Sequence, residues 1–227
     1  KLWMIESNAT YRGWFTGGDQ SGDWGNKSFV KKHITGHGAL AEFFDTQLHG
    51  VIKMGDTPSI MRLFYGDPED PSKPSWGGQF VRAWTRPHFQ FDRITTCEDS
   101  IEIFSILELD LPLGAKASEN TTGRMKVENQ ELEGLVVGDK IKFMFSPKAP
   151  KKFTYTILSN DKTLDGKKGC VISCLPDETI AAKPDPNIPN WWTDDPSPDV
   201  AEGKHHGAKT VSKWRKDFLE DFRVRMD

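Results

Sequence analysis

Between Thr85 and Leu175 apolar residues recur at every second position, a period that suits strands and not helices. Ile101, Ile103, Leu107, Leu109 and Leu111 alternate with Glu102, Glu108 and Asp110. Ile141, Phe143 and Phe145 repeat the pattern, as do Phe153, Tyr155 and Ile157, with polar turns such as Asn160-Asp161 and Asp165-Gly166 between runs. Several short strands at near-regular spacing predict a β-sandwich over 85–175.

The flanks read differently. Lys1 to Ile5 reads as the inside of a buried strand, and a loop rich in Gly, Trp and Asp follows. Asn26 is placed to cap a helix through Val30 and His33, and Gly38-Ala-Leu-Ala-Glu-Phe-Phe begins another. Val51 to Phe64 reads as strand, turn and helix, with Gly55 at the turn, Asp56 or Thr57 as cap and Pro58 in the first helical turn. Phe80 to Trp84 forms one more strand. Residues 176–206, dense in Pro and Asp, read as a linker.

In the closing helix Val211, Trp214, Phe218 and Phe222 make one apolar stripe, which needs a surface to cover. The fold class expected is therefore α/β: residues 1–84 form an α/β segment, 85–175 an inserted β-sandwich, and 176–227 a linker and a helix returning to the α/β part.

A chain of 227 residues can bury one large core or two small ones. A formal charge of −3 with scattered charges offers no field for nucleic acid. No apolar run approaches the roughly 20 residues of a membrane helix. Cys97, Cys170 and Cys174 lack zinc-site spacing, and they leave one disulfide open but not required. Sequons at Asn8, Asn26 and Asn120 leave the compartment open as well.

The polar candidates gather at strand ends. Glu6 and Asn8 stand two apart after an apolar strand, so they share a face where open α/β sheets hold ligands. Asp56 lies at a second strand end. Together they would suit sugar hydroxyls or a hard cation, against the plainer reading of Asp56 as a helix cap and Asn8 as a turn contact. Trp14 and Trp76, surrounded by glycines, would offer stacking faces to a sugar or fill the core. Asp194 and Asp195 before Pro196 read as a solvated turn, and His205-His206 as a surface cap.

Ile5-Glu-Ser-Asn-Ala-Thr-Tyr, Gly36-His-Gly, Gly55-Asp-Thr-Pro-Ser, Trp76-Gly-Gly and Pro189-Asn-Trp-Trp-Thr-Asp-Asp resemble a nucleoside-hydrolase-like family of unknown function, sometimes described as cellulose-binding. The resemblance covers both ends of the chain and the β insert only loosely. It implies that Glu6 and Asn8 hold sugar hydroxyls, that Asp56 is a late calcium ligand, and that His37 touches substrate or protonates a leaving group, unless it is a turn residue.

The family's N-terminal aspartate cluster has no counterpart here. Neither Asp19-x-x-x-Asp23 nor Asp67-x-x-Asp70 follows an apolar strand. The resemblance therefore implies a calcium-dependent glycosidic hydrolase completed by a missing N-terminal half of the α/β domain, with this chain alone inactive. The alternative is a non-catalytic binder of plant polysaccharide. A sugar or nucleoside ligand, a secreted or periplasmic location and an oligomeric state open to self-association complete the expectation.

Overall fold

The computed structural model describes residues 2–48, 50, 57–115, 117, 120–177 and 183–226. Strand β1 (Met4–Glu6) precedes helices α1 (Asn26–His33), α2 (Gly38–Leu48) and α3 (Thr57–Phe64) and strand β2 (Phe80–Arg82). Then come β3 (His88–Phe91), β4 (Ser100–Glu102), β5 (Ile106–Pro112), β6 (Gly123–Val127) and β7 (Gln130–Glu133). These lead to β8 (Leu135–Val137), β9 (Lys140–Phe145), β10 (Lys152–Ser159) and β11 (Lys168–Cys174). Strand β12 (Trp191–Asp194) and helices α4 (Lys209–Ser212) and α5 (Arg215–Met226) follow. The chain divides into two compact units, Lys1–Ala83 with Pro184–Asp227, and Trp84–Lys183.

In the α/β unit the sheet order among the described residues is β1-β12-β2. Strand β12 is central, parallel to β1 with Met4 opposite Trp191, and antiparallel to β2 with Trp192 opposite Arg82. The sequence reading made this stretch a linker. The four residues of this strand are too few to show a period, so it hid among turn formers between Pro189 and Pro196. Residues 2–4 also depart from expectation, since Leu2 is 87% and Met4 45% exposed.

The helices of this unit close over one apolar cluster of Trp14, Phe29, Val30, Ile34, Val211, Phe218 and Leu219. Helix α1 turns Phe29 and Val30 inward and leaves Lys27 and Lys31 in solvent, as a one-faced helix must. It starts at Asn26 itself with Gly25 at the cap, one residue earlier than the capping signal suggested. The expected single closing helix is two, α4 and α5, separated at Lys213-Trp214. Its apolar stripe survives the break: Val211 and Phe218 enter the core, and Trp214 and Phe222 pack against it.

The buried Arg215 guanidinium donates from Nε to the Trp24 carbonyl (2.8 Å) and from Nη1 to the Trp14 carbonyl (3.1 Å). Burial lowers its pKa from the usual arginine value.

The second unit is all β among its described residues. One sheet has the order β4-β11-β10-β6-β7 and the other β3-β5-β9-β8. In β9 the side chains of Ile141, Phe143 and Phe145 are buried while Lys140 and Met144 are exposed, which is the alternation the sequence carries. Phe153, Tyr155 and Ile157 of β10 and Leu107, Leu109 and Leu111 of β5 join them, so both sheets contribute to one core. Each such fully buried side chain contributes about 1.5–3 kcal/mol by leaving water.

A disulfide joins Cys97 to Cys170, and Cys174 is free. Cys170 and Cys174 lie on one strand, about 13 Å apart at strand rise, so they could not pair with each other.

Candidate functional site

Strand β1 ends at Glu6, opposite Thr193, and the parallel β12 ends at Asp194. Because the strands run the same way, Glu6-Ser7-Asn8 and Asp194-Asp195 leave the sheet at one edge, the carboxyl ends where α/β sheets hold ligands. Glu6 and Asn8 are half-buried. The Asn8 Nδ2 and Ser7 Oγ atoms are buried and have no hydrogen-bond partner among the described residues. Such groups are costly to leave unpaired, which makes them natural contacts for a polar ligand.

What holds this edge in place is Asp194, whose side chain is wholly buried. Its Oδ2 accepts from the Ala9 N–H (2.6 Å) and its Oδ1 from the Thr10 N–H (3.3 Å). These amides open the 3₁₀ turn Thr10–Trp14, so a carboxylate from a strand remote in sequence caps that turn. Burial pushes its pKa up to about 6, with the Thr10 side chain and the amides of Ala9, Thr10 and Asn8 opposing the shift. The sequence reading made Asp194 a solvated turn residue. It is instead the anchor that fixes the chain immediately after Asn8.

Glycines make that anchoring possible. Gly207, at φ +74°, has no room for a Cβ, which would sit 2.2 Å from Thr10 Oγ1. A Cβ on Gly13 would sit 1.9 Å from the Ala208 carbonyl oxygen, so this glycine lets the turn press against the segment entering α4.

His206 precedes these close contacts and is 4% exposed, where the sequence suggested a surface cap. Burial lowers its pKa below the usual imidazole value, with the Pro196 backbone and the Asp195 carboxylate opposing, so the ring is neutral at pH 7. Neither ring nitrogen has a well-formed hydrogen bond among the described residues.

The other sequence candidates fare unevenly. Trp14 is 4% exposed and stacks on Phe218 with ring centroids 3.8 Å apart, so it is a core residue with no face for a sugar. The glycines around it, Gly13 and Gly18, admit the backbone of the segment 208–212 rather than a ligand. Trp76 is half-buried and stacks on Tyr65 at 3.7 Å. His37 is exposed in the turn between α1 and α2, with Nε2 3.2 Å from the Lys32 carbonyl oxygen.

Asp56 lies outside the described residues. Among those residues no three His, Cys, Asp or Glu side chains are placed to share a metal ion. No helix among them is long and apolar enough to cross a membrane.

Residues 1–80 match the model of the family described as cellulose-binding Sde182, nucleoside hydrolase-like domain. The Sde182 match thus contains β1, Glu6, Asn8 and the turn capped by Asp194, while Asp194 itself lies beyond it. No protein of curated function is similar enough to count as a relative. One solved structure, provisionally described as a glycoside hydrolase from Bacteroides vulgatus ATCC 8482, is 16% identical with a TM-score of 0.32. That likeness covers 35% of this chain and 17% of the other, too slight to bear on the fold.

Proposed function

We propose that the α/β unit binds a sugar through the polar ends of β1 and β12, with Glu6 and Asn8 taking its hydroxyls. The observation that carries this reading is the pair of buried, unpartnered groups Asn8 Nδ2 and Ser7 Oγ at the carboxyl ends of parallel strands, held by the Asp194 anchor. The cellulose-binding description of the Sde182 family points to carbohydrate as the ligand class. Binding to insoluble cellulose, cello-oligosaccharides and nucleosides tests it. Asn8→Ala should weaken retention at least tenfold while the thermal midpoint stays within a few degrees. Binding of none of these ligands by the wild-type protein, or unchanged binding by a folded Asn8→Ala, would refute the proposal.

A second reading is favoured by the nucleoside hydrolase-like match over residues 1–80. In it the complete protein hydrolyses a glycosidic bond in a calcium-dependent way, Asp56 is a ligand, His37 serves the leaving group, and a further α/β segment completes the site. Calorimetric titration with calcium separates the readings. Calcium binding that Asp56→Ala abolishes supports hydrolysis, and the absence of calcium binding by the complete protein refutes it.

The two sheets sharing one core fit a β-sandwich inserted into the α/β segment. The Cys97–Cys170 disulfide suits a secreted or periplasmic protein, since such bonds persist in oxidising compartments.

A further inference from the structure

The outer face of the five-stranded sheet holds a depression of about 780 Å³ that the α/β unit's site does not use. Across it Lys126 of β6, Thr156 of β10 and Lys168 of β11 stand in one register row. Two strand spacings set the lysine Cα atoms about 10 Å apart. Thr154 and Cys170 make the next row, and Thr96 and Cys97 form a wall. That wall is pinned by the Cys97–Cys170 disulfide and by Cys170 N–H donating to the Thr95 carbonyl.

Two features set the lysines apart from ordinary surface charge. They sit on interior strands, since β4 and β7 are the edges of this sheet, so they do not serve to guard an edge. The acids nearest them are already paired: Glu131, directly across from Lys126, pairs with Arg124 at 2.7 Å, and Glu128, which itself lines the depression, pairs with Lys151. Lys126 and Lys168 themselves form no ion pair among the described residues. The depression is therefore locally positive on a chain of net charge −3, with threonine hydroxyls between its two cations.

We infer that this depression binds an acidic glycan, a chain whose carboxylates meet Lys126 and Lys168 while its hydroxyls meet Thr154 and Thr156. It offers no exposed aromatic platform of the kind on which neutral sugar rings or bases stack. The site lies wholly in the β unit, so the inference does not depend on Glu6 and Asn8 and can fail separately from that reading.

Affinity electrophoresis of the full chain through gels containing polygalacturonate, hydroxyethylcellulose or single-stranded DNA provides the test. Polygalacturonate should retard the wild type, less so as salt rises, and the double variant Lys126→Gln/Lys168→Gln should lose at least tenfold in affinity. Lys140→Gln, a single charge change of the same kind on the other sheet, should bind as the wild type does. No retardation by polygalacturonate, equal retardation of the double variant, or stronger retardation by DNA would each overturn the inference.

Discussion

Replacing Asp194 with Asn probes the anchor of the strand-end site, and the informative quantity is how its effect changes with pH. The Asp194 carboxyl has a pKa of about 6 in the folded protein against an ordinary value of 3.8. The folded state therefore holds this proton more tightly than the unfolded chain does. Stability from this group is fullest below pH 3.8, declines as pH rises through about 6, and is level above that, the reverse of a salt-bridged aspartate. Between pH 4.5 and 7.0 the decline amounts to about 2 kcal/mol.

Asparagine has the same shape and no proton to lose, so relative to the wild type the variant should gain about 2 kcal/mol over that interval. Any constant cost of its poorer acceptance from the Ala9 and Thr10 amides cancels in the comparison. Urea unfolding of both proteins at the two pH values measures it. A gap that stays constant, or that moves against the variant as pH rises, would refute the argument that burial outweighs the amide hydrogen bonds.

Three further outcomes are expected. Gly13→Ala should destabilise the protein by about 1–3 kcal/mol in thermal unfolding, because its Cβ would meet the Ala208 carbonyl. Arg215→Met should cost about 3 kcal/mol by orphaning the Trp14 and Trp24 carbonyls, and limited proteolysis should then cut first within residues 17–23. Cys97→Ser with Cys170→Ser should cost about 4 kcal/mol for a sequence separation of 73, seen as a lower unfolding midpoint that reductant no longer affects.

The β unit was legible in the sequence because its strands are long enough to display their period. In β9 and β10, alternate residues from Ile141 to Phe145 and from Phe153 to Ile157 are the ones that reach the core. The α/β unit was legible in its helices and at β1, where the Glu6 and Asn8 strand end lies as expected. It was opaque where tertiary contacts decide. Asp194 looks like any acid before a proline, and only the position of β12 shows that the amides of Ala9 and Thr10 lie within its reach. The glycines beside Trp14 invited a ligand reading, but a glycine admits approaching backbone as readily as approaching ligand. His206 gave no signal of burial in its immediate neighbours, Lys204 to Gly207.

The central place of β12 has a consequence for synthesis. The sheet of the α/β unit cannot close until Trp191 has emerged to pair with Met4, and the β unit lies between them in the chain. A ribosome-bound chain would therefore carry β1 and its neighbouring helices unpaired while residues 84–183 are translated and free to fold around their own core. Closing so long a loop is slow, and an unpaired strand edge is a template for misassembly. Early folding of the inserted unit would limit that exposure by bringing the two ends of the gap closer together, so that the last strand to be made can seat between the other two.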